Sequence, residues 1–329
     1  MSAPPLDTTA VLPLIEDAVT APSMHNAQPW KFVLRPHDRR IELHGDPERA
    51  MLHTDPDLRA LHLGCAAALF NLRVAAADSG WETAVTLLPD NDRPLHLADA
   101  VLRETTAADP ALTALHPAVR RRHTSRFPFT DEEIPPAVQD ALCAAALLEG
   151  ARLVLPDAWH TEAVLELVHD SEHSEEMDPA VREEAARWIH TDAAPDGPRD
   201  AGIPGYAFGP RQLGSRAPVR DFGTWSPVPG RESAVFEQNP RIALLGTSED
   251  TPADWLRAGQ ALQRVLLRAT ADGLVASMTS QPLEWPELRW AVRDPVAPMG
   301  HVHMVLRLGY GPQGPSTPRR PAAEVLDVR

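Results

Sequence analysis

The chain has 329 residues, a hydrophobic content of 43% and a formal net charge of −15 at pH 7. The apolar content suffices for a folded core, and the length indicates about two domains. The acidic balance argues against nucleic acid or an anionic membrane as a partner, and the two cysteines are too few for a disulfide framework.

The first half, residues 1–117, predicts helices that alternate with short strands. Apolar spacing predicts a helix over residues 9–20, and a polar loop follows it. Strands over residues 30–34 and 41–43 form a predicted hairpin. An alanine-rich helix over residues 57–77 ends at Ser79-Gly80, and residues 81–87 predict another strand.

The second half, residues 118–329, predicts a similar order of elements. A helix containing Val138, Leu142 and Cys143 precedes a strand over residues 152–155, and an acidic helical stretch covers 161–190. Residues 193–232 are rich in glycine and proline and predict a long irregular segment. A strand over 241–247, a helix over 253–271 and a strand over 301–310 follow.

The two halves echo one another at a constant offset. Ala68-Leu69 matches Ala261-Leu262 (261 − 68 = 193), and Gly80 matches Gly273 (273 − 80 = 193). Because the order of helices and strands also repeats, the sequence predicts a duplicated unit.

The loop before the first predicted strand contains the sequence Pro22-Ser23-Met24-His25-Asn26-Ala27-Gln28-Pro29-Trp30. Its serine, asparagine and glutamine donate and accept hydrogen bonds, which suits an edge-on grip on a flat heterocycle with imide and carbonyl groups. An ordinary capped turn with Trp30 in the core explains the same residue types.

A basic stretch, Arg120-Arg121-Arg122-His123-Thr124-Ser125-Arg126, opens the second half. Guanidinium groups match phosphate oxygens, so four arginines beside hydroxyl groups form a candidate phosphate cradle. A solvated basic turn is the alternative interpretation.

Together these two stretches resemble the nitroreductase family. The loop is similar to the family's Ser-x-x-Asn-x-Gln-Pro-Trp signature, and the basic stretch is similar to its Arg-Arg-Ser-x-Arg type motif. Both motifs bind FMN in that family. The resemblance implies a set of FMN-binding residues in this chain: Pro22, Ser23, Met24, Asn26, Gln28, Arg122, His123, Thr124 and Arg126.

The order of the motifs departs from the usual family pattern. The arginine motif normally precedes the loop, whereas here it opens the second half, and each half keeps a different part of the site. This arrangement resembles the Acg-type branch of the family. It implies an α+β, nitroreductase fold with two fused half-domains, 1–117 and 118–329, that form an intrachain pseudo-dimer with central sheets flanked by helices.

Two later segments extend the resemblance. Ser277, Met278 and Thr279 follow the second alanine-rich helix, where the family places groups near the flavin ring; a helix stop before a buried strand is the alternative. Arg319 and Arg320 are similar to the family's phosphate-binding tail, although terminal arginines are often simply solvated.

The resemblance implies an FMN-dependent oxidoreductase that transfers hydride between NAD(P)H, or a small organic substrate, and flavin. We assign no catalytic side chain and no metal, because the flavin supplies the chemistry. The alternatives are an FMN-holding protein with a covered flavin, in which residues 206–222 form the cover, and a flavin-free enzyme on the same scaffold. The expected partner is a small molecule, and the expected state is a monomeric pseudo-dimer or a homodimer in the cytoplasm.

Other signals in the sequence are weaker. Residues 309–314 match G-x-G-x-x-G, but Pro312 and Pro315 argue against the helix that a dinucleotide site requires. His301 with His303 could bind a metal, and so could Glu166 with His169 and His173, although exposed histidines on a polar face explain both groups.

Overall fold

The computed structural model describes residues 4–191, 200–214, 216–224, 226–297 and 299–329. Within these residues the helices are α1 (Thr8–Ala18), α2 (Arg59–Asp78), α3 (Pro110–Thr113), α4 (His116–Val119), α5 (Pro136–Leu148), α6 (Ala158–Met177), α7 (Pro179–Ala186), α8 (Pro252–Ala271), α9 (Pro286–Ala291) and α10 (Ala322–Val325). The strands are β1 (Trp30–Arg35), β2 (Arg40–Gly45), β3 (Trp81–Leu87), β4 (His96–Glu104), β5 (Arg152–Val154), β6 (Ile189–His190), β7 (Ile203–Pro204), β8 (Arg211–Leu213), β9 (Ser233–Val235), β10 (Arg241–Thr247), β11 (Val275–Thr279), β12 (His301–Gly309) and β13 (Leu326–Val328).

Two main sheets form the framework, and their strand orders are equivalent. The first has the order β13-β1-β2-β4-β3, and the second has the order β11-β12-β10-β5. The first half contributes β1, β2, β3 and β4, and the second half contributes β5, β10, β11 and β12. If each set is numbered one to four along the chain, both sheets have the order first, second, fourth, third, the second sheet being taken from its β5 edge. Neighbouring strands in these two sets of four are antiparallel. This shared topology supports the duplication that the sequence predicts.

The helices α2 and α8 pack against each other at the centre of the molecule. Each has 20 residues, and their first residues lie 193 positions apart (252 − 59), the offset found in the sequence. A Cβ atom on Gly259 would lie 2.4 Å from the carbonyl oxygen of Leu63, so glycine permits this close approach. The Nε2 of Gln263 donates to the Oδ1 of Asn71 at 2.6 Å across the contact.

Helix α2 is hydrophobic because it lies in the core of the protein. In composition it could cross a bilayer, yet 94% of its most apolar window is buried inside the protein, as expected for a core helix. It packs on α1 and the first sheet, where Trp30, Phe32 and Leu69 are fully buried. A separate cluster joins α5 and α8 to the second sheet.

The end of the chain crosses from the second half to the first sheet. After β12 the chain runs through residues 310–321, and Leu326–Val328 then pairs in parallel with β1. The first sheet therefore contains a strand from each end of the chain. The boundary between residues 117 and 118 stays a prediction, since the C-terminal segment packs on both halves.

Most predicted elements are present, with shifts of a few residues at their ends. The predicted acidic helix over 161–190 is two helices, because Asp178 caps α7 and Pro179 opens it. Strand β4 was not expected from the sequence. The irregular segment 193–232 contains β7 and β8; its residues 193–199, 215 and 225 lie outside the described residues.

Candidate functional site

A cleft lined by residues from both halves is the candidate site. Its walls come from the loop after α1, the start of α2, the basic stretch, β11 and the C-terminal tail. The predicted site residues that line it are Pro22, Ser23, Met24, Asn26, Arg122, His123, Thr124, Arg126, Ser277, Met278, Thr279 and Arg319. The remaining two, Gln28 and Arg320, lie behind its wall.

The loop after α1 has an unusual backbone. His25, Asn26 and Gln28 all adopt positive φ angles, of 48°, 55° and 55°. Residues other than glycine rarely adopt this region, and it persists where surrounding contacts enforce it. The tail supplies one such contact, because the Nδ2 of Asn26 donates to the carbonyl oxygens of Pro318 at 3.0 Å and Gly202 at 2.9 Å.

Gln28 fixes the loop from behind. Its backbone N–H donates to the Oγ of Ser23 at 2.9 Å, and its Nε2 donates to the carbonyl oxygens of Asn26 and Asp200. Its Oε1 accepts from the backbone N–H of Arg320 at 2.8 Å. Neither Gln28 nor Arg320 lines the cleft, and the polar side-chain atoms of Gln28 are engaged within the protein. The direct cofactor contacts of both residues stay predictions. Both residues brace the loop.

The basic stretch lies along the edge of the second sheet. The backbone N–H of Ser125 donates to the carbonyl oxygen of Ala276 at 2.9 Å, and Thr124 forms a β-bridge with the same residue. This pairing with β11 turns the side chains of Arg122, Thr124 and Arg126 toward the cleft.

Arg122 and Arg319 converge on one point of the cleft wall. The Nη2 atoms of both donate to the carbonyl oxygen of Thr20, each at 3.2 Å, although the two residues are distant in sequence. The Nε atoms of both are buried and without a hydrogen-bond partner among the described residues. Burial lowers the pKa of Arg122 to about 10, and burial together with Arg122 lowers that of Arg319 to about 9. Burial also lowers the pKa of His123, which lies beside this pair, to about 4.

A second group of side chains surrounds Phe222. The guanidinium groups of Arg126 and Arg220 lie 5.1 and 5.6 Å from its ring centroid, and the ring of His25 contacts it edge-on at 5.6 Å. Arg220 is paired with two buried carboxylates, Glu175 at 2.9 Å and Glu284 at 3.4 Å. Burial and then Arg220 lower the pKa of Arg126 to about 10.

The cleft carries an excess of positive charge. No aspartate or glutamate lines it within the described part of the chain. The arginines that line it without a carboxylate partner among the described residues are Arg59, Arg122, Arg126 and Arg319. Burying an unpaired charge is costly unless a ligand of opposite charge neutralises it. The cleft is therefore built for an anionic group.

The strand β11, which pairs with the basic stretch, adds further polar groups to the cleft. The Oγ of Ser277 is buried and has no hydrogen-bond partner in the described residues, so it can serve a ligand. The Oγ1 of Thr279 donates to the carbonyl oxygen of Pro218 at 2.8 Å, which ties β11 to the segment before Phe222. The stretch Val275–Thr279 is thus a strand that also lines the cleft, and its place near a flavin ring stays a prediction.

Sequence reasoning missed several residues of the cleft. Arg59, at the start of α2, donates to the carbonyl oxygens of His303 and Leu283, each at 3.0 Å. Gln281 and His303 also line the cleft. Arg59 gave no sequence signal, because a single arginine at a helix start is ordinary. His25 lies within the loop motif but at one of its variable positions.

One group of possible metal ligands lies away from the cleft. Glu42, His44 and His96 offer ligand atoms within 4.8 Å of one another on the first sheet. Glu42 is already bonded by Arg35 and Arg40, and His44 lies 3.1 Å from it. We interpret this cluster as an ion-pair network.

Comparisons with known proteins point in one direction. The sequence profile described as the nitroreductase family matches residues 119–310 of this chain. The chain is 32% identical to a protein of Mycobacterium tuberculosis (strain ATCC 25618 / H37Rv) that is provisionally named an NAD(P)H nitroreductase, and the match covers 98% of this chain and 92% of that protein. It is 27% identical, over 98% of each chain, to a second protein of that strain, provisionally named NAD(P)H nitroreductase acg.

Among solved structures, the chain is similar to a protein of Anabaena variabilis ATCC 29413 provisionally named a nitroreductase. The sequence identity is 11%, the TM-score is 0.48, and the match covers 92% of this chain and 88% of the other.

Proposed function

The chain belongs to the nitroreductase family, and from this premise we propose that it binds FMN in the cleft and reduces a small organic substrate with electrons from NAD(P)H. A family profile that covers more than half of the chain and a relative 32% identical over nearly its full length carry the family assignment. The identity of the cofactor and the direction of hydride transfer belong to the proposal.

The unpaired arginines Arg122 and Arg319 are the observation that supports the proposal most strongly. Their guanidinium groups lie side by side at the carbonyl oxygen of Thr20, and each retains a buried Nε–H without a partner among the described residues. Two convergent guanidinium groups match a phosphate dianion in both charge and geometry. FMN carries such a phosphate at one end, so the residues present fit this cofactor.

The remaining polar groups suit the rest of the cofactor. Thr124 and Ser277 offer hydroxyl groups, and Asn26 brings the loop of the first half against the same cleft. When bound, FMN would accept a hydride from NAD(P)H and pass it to a small substrate. Arg126 would favour the negative charge of the reduced cofactor, since a cation in a poorly hydrated site stabilises nearby negative charge.

The experiment that tests the proposal uses purified protein and visible absorbance. We expect the protein to retain FMN, and we expect NADPH or NADH to bleach the flavin absorbance in the absence of oxygen. Dithionite provides the control for chemical reducibility. A protein that binds no FMN after incubation with it would refute the proposal and would support the flavin-free alternative.

A second function, flavin holding, has one observation in its favour. Val219, Arg220 and Phe222 belong to the segment that we considered as a cover, and they line the cleft. A flavin that dithionite bleaches but that NADPH and NADH leave oxidised would support this holding function over turnover.

A further inference from the structure

His25 is a cleft residue whose two ring nitrogens form no hydrogen bond within the described part of the chain. It is buried, with 6% of its surface exposed, and it lines the cleft. Both Nδ1 and Nε2 are buried and have no hydrogen-bond partner among the described residues. A neutral imidazole has one donor and one acceptor, so both are unused whichever tautomer is present. Such groups are normally satisfied, and a buried exception at a cleft indicates a ligand.

The backbone of His25 shows that its position is enforced. Its φ angle of 48° lies in the left-handed region, which an L-residue with a ring side chain rarely adopts. This conformation turns the ring edge-on to Phe222, with the ring centroids 5.6 Å apart. Strained backbone of this kind is found at ligand sites where it aims a side chain.

The surroundings of His25 keep its ring uncharged. Burial, then the guanidinium groups of Arg220 and Arg126, lower the pKa of His25 well below its ordinary value. Both arginines lie over Phe222, the ring that His25 contacts. A neutral imidazole therefore lines a cleft in which Arg126, which has no carboxylate partner among the described residues, favours electron-rich acceptors.

Two features favour a ligand of His25 other than the cofactor. In the Ser-x-x-Asn-x-Gln-Pro-Trp signature His25 occupies a variable position, whereas Ser23 and Asn26 occupy fixed ones. Its aromatic neighbour Phe222 belongs to the segment after α7, which contains none of the cofactor motifs. His25 thus lies where the cofactor loop meets the wall that is specific to this chain.

We propose that His25 is a substrate-binding residue that donates a hydrogen bond from its neutral imidazole to an oxygen of an electron-poor organic acceptor, such as an aromatic nitro group. This inference rests on the proposed function, because it presupposes flavin in the same cleft. It adds a residue that recognises the substrate. The nitro oxygen gains negative charge as it is reduced, and Arg126 favours that charge.

The test compares two ligands that differ only at the proposed acceptor. 4-Nitrobenzoate and 4-isopropylbenzoate share a carboxylate and have similar size, but only the first has oxygen acceptors at the para position. Their dissociation constants are measured on the oxidised FMN-loaded protein from the perturbation of flavin absorbance, which requires no turnover. We expect the wild type to favour 4-nitrobenzoate by about 5- to 10-fold, the factor of one net hydrogen bond.

Three variants at His25 separate hydrogen bonding from structure. His25→Gly deletes the ring and accepts a positive φ without strain, and it is expected to lose the preference while binding 4-isopropylbenzoate as the wild type does. His25→Asn and His25→Gln restore an amide donor at two lengths, and at least one is expected to recover part of the preference. Because the ring is neutral, the wild-type preference should be equal at pH 6 and pH 8.

The inference would be overturned if the wild type bound 4-nitrobenzoate and 4-isopropylbenzoate equally, or if His25→Gly kept the preference for 4-nitrobenzoate. Loss of FMN from all three variants would also overturn it, because His25 would then be a cofactor-binding residue. A wild type that binds no FMN would refute the proposed function and this inference together, and the visible spectrum reports that before any ligand is added.

Discussion

Replacing Arg122 by methionine should change FMN affinity and the stability of the FMN-free protein in opposite senses. Methionine has a similar length and no charge, so Arg122→Met removes the buried cation and keeps most of the packing. Arg122 is 4% exposed and has no carboxylate partner among the described residues. Its buried charge therefore destabilises the folded FMN-free protein, whereas in the FMN-bound protein the same charge would bind the phosphate.

The structure supplies the size of both effects. Burial lowers the pKa of Arg122 from 12.5 to about 10, which corresponds to a cost of at most about 3 kcal/mol in the folded state. Because the folded pKa lies below the unfolded one, this cost is present at any pH below about 10 and is relieved as the pH rises through that range. Loss of charge-assisted hydrogen bonds to phosphate costs about 1.5–3 kcal/mol, or about 10- to 150-fold in Kd.

Two measurements test this expectation. Urea unfolding of the FMN-free protein should show Arg122→Met to be more stable than the wild type by about 1–3 kcal/mol. Titration of FMN fluorescence should show weaker binding by at least about ten-fold.

The matched control is Arg121→Met, the preceding residue, which is exposed and donates to the carbonyl oxygen of Thr270 outside the cleft. An unchanged FMN affinity in Arg122→Met, or an equal loss in Arg121→Met, would contradict the reasoning.

Three further variants test the framework of the site. Gln28→Ala removes the side-chain hydrogen bonds that brace the loop. It should weaken FMN binding about ten-fold or more, even though Gln28 lies outside the cleft. Wild-type affinity in an FMN titration would contradict this. Gly259→Ala should lower the free energy of unfolding, measured by urea denaturation, by about 1–2 kcal/mol. The new Cβ would lie 2.4 Å from the Leu63 carbonyl oxygen, and this strain exceeds the gain in helix propensity. A net gain in stability would show that α2 and α8 can separate. Burial raises the pKa of Glu284, so the folded state holds this proton more tightly than the unfolded state and stability falls as the pH rises above the ordinary glutamate range. Glu284→Gln should flatten that decline in urea unfolding at several pH values, and an unchanged decline would refute the assignment.

The large features of the fold could be predicted because they follow from local pattern. The alanine-rich helices α2 and α8, the β1–β2 hairpin and the constant offset between the halves are visible in apolar spacing and in glycine stops. Strand β4 was missed, since Asp99 and Arg103 interrupt its apolar residues. The crossing of β13 into the first sheet could not be predicted, because a three-residue strand carries little signal and its partner lies at the other end of the chain.

Only the parts of the site that lie in continuous motifs could be predicted, because contacts between distant segments leave no local pattern. The resemblance to Acg-type nitroreductases, now supported by the full-length relatives, identified the loop and the basic stretch that the structure brings into one cleft. Arg59 was not expected there, because contacts between distant segments determine its role. Gln28 was expected at the cofactor, and in the structure it braces the loop from behind the cleft wall. The individual FMN contacts stay predictions.

A crystal structure of the protein grown with FMN would show directly whether both halves of the chain contact one cofactor. We expect one FMN per chain in the cleft, with its phosphate at Arg122 and Arg319 and its ring system within reach of Asn26. An FMN bound elsewhere, or one that contacts the basic stretch while Asn26 lies too far away to touch it, would contradict the claim that the two halves build a single site.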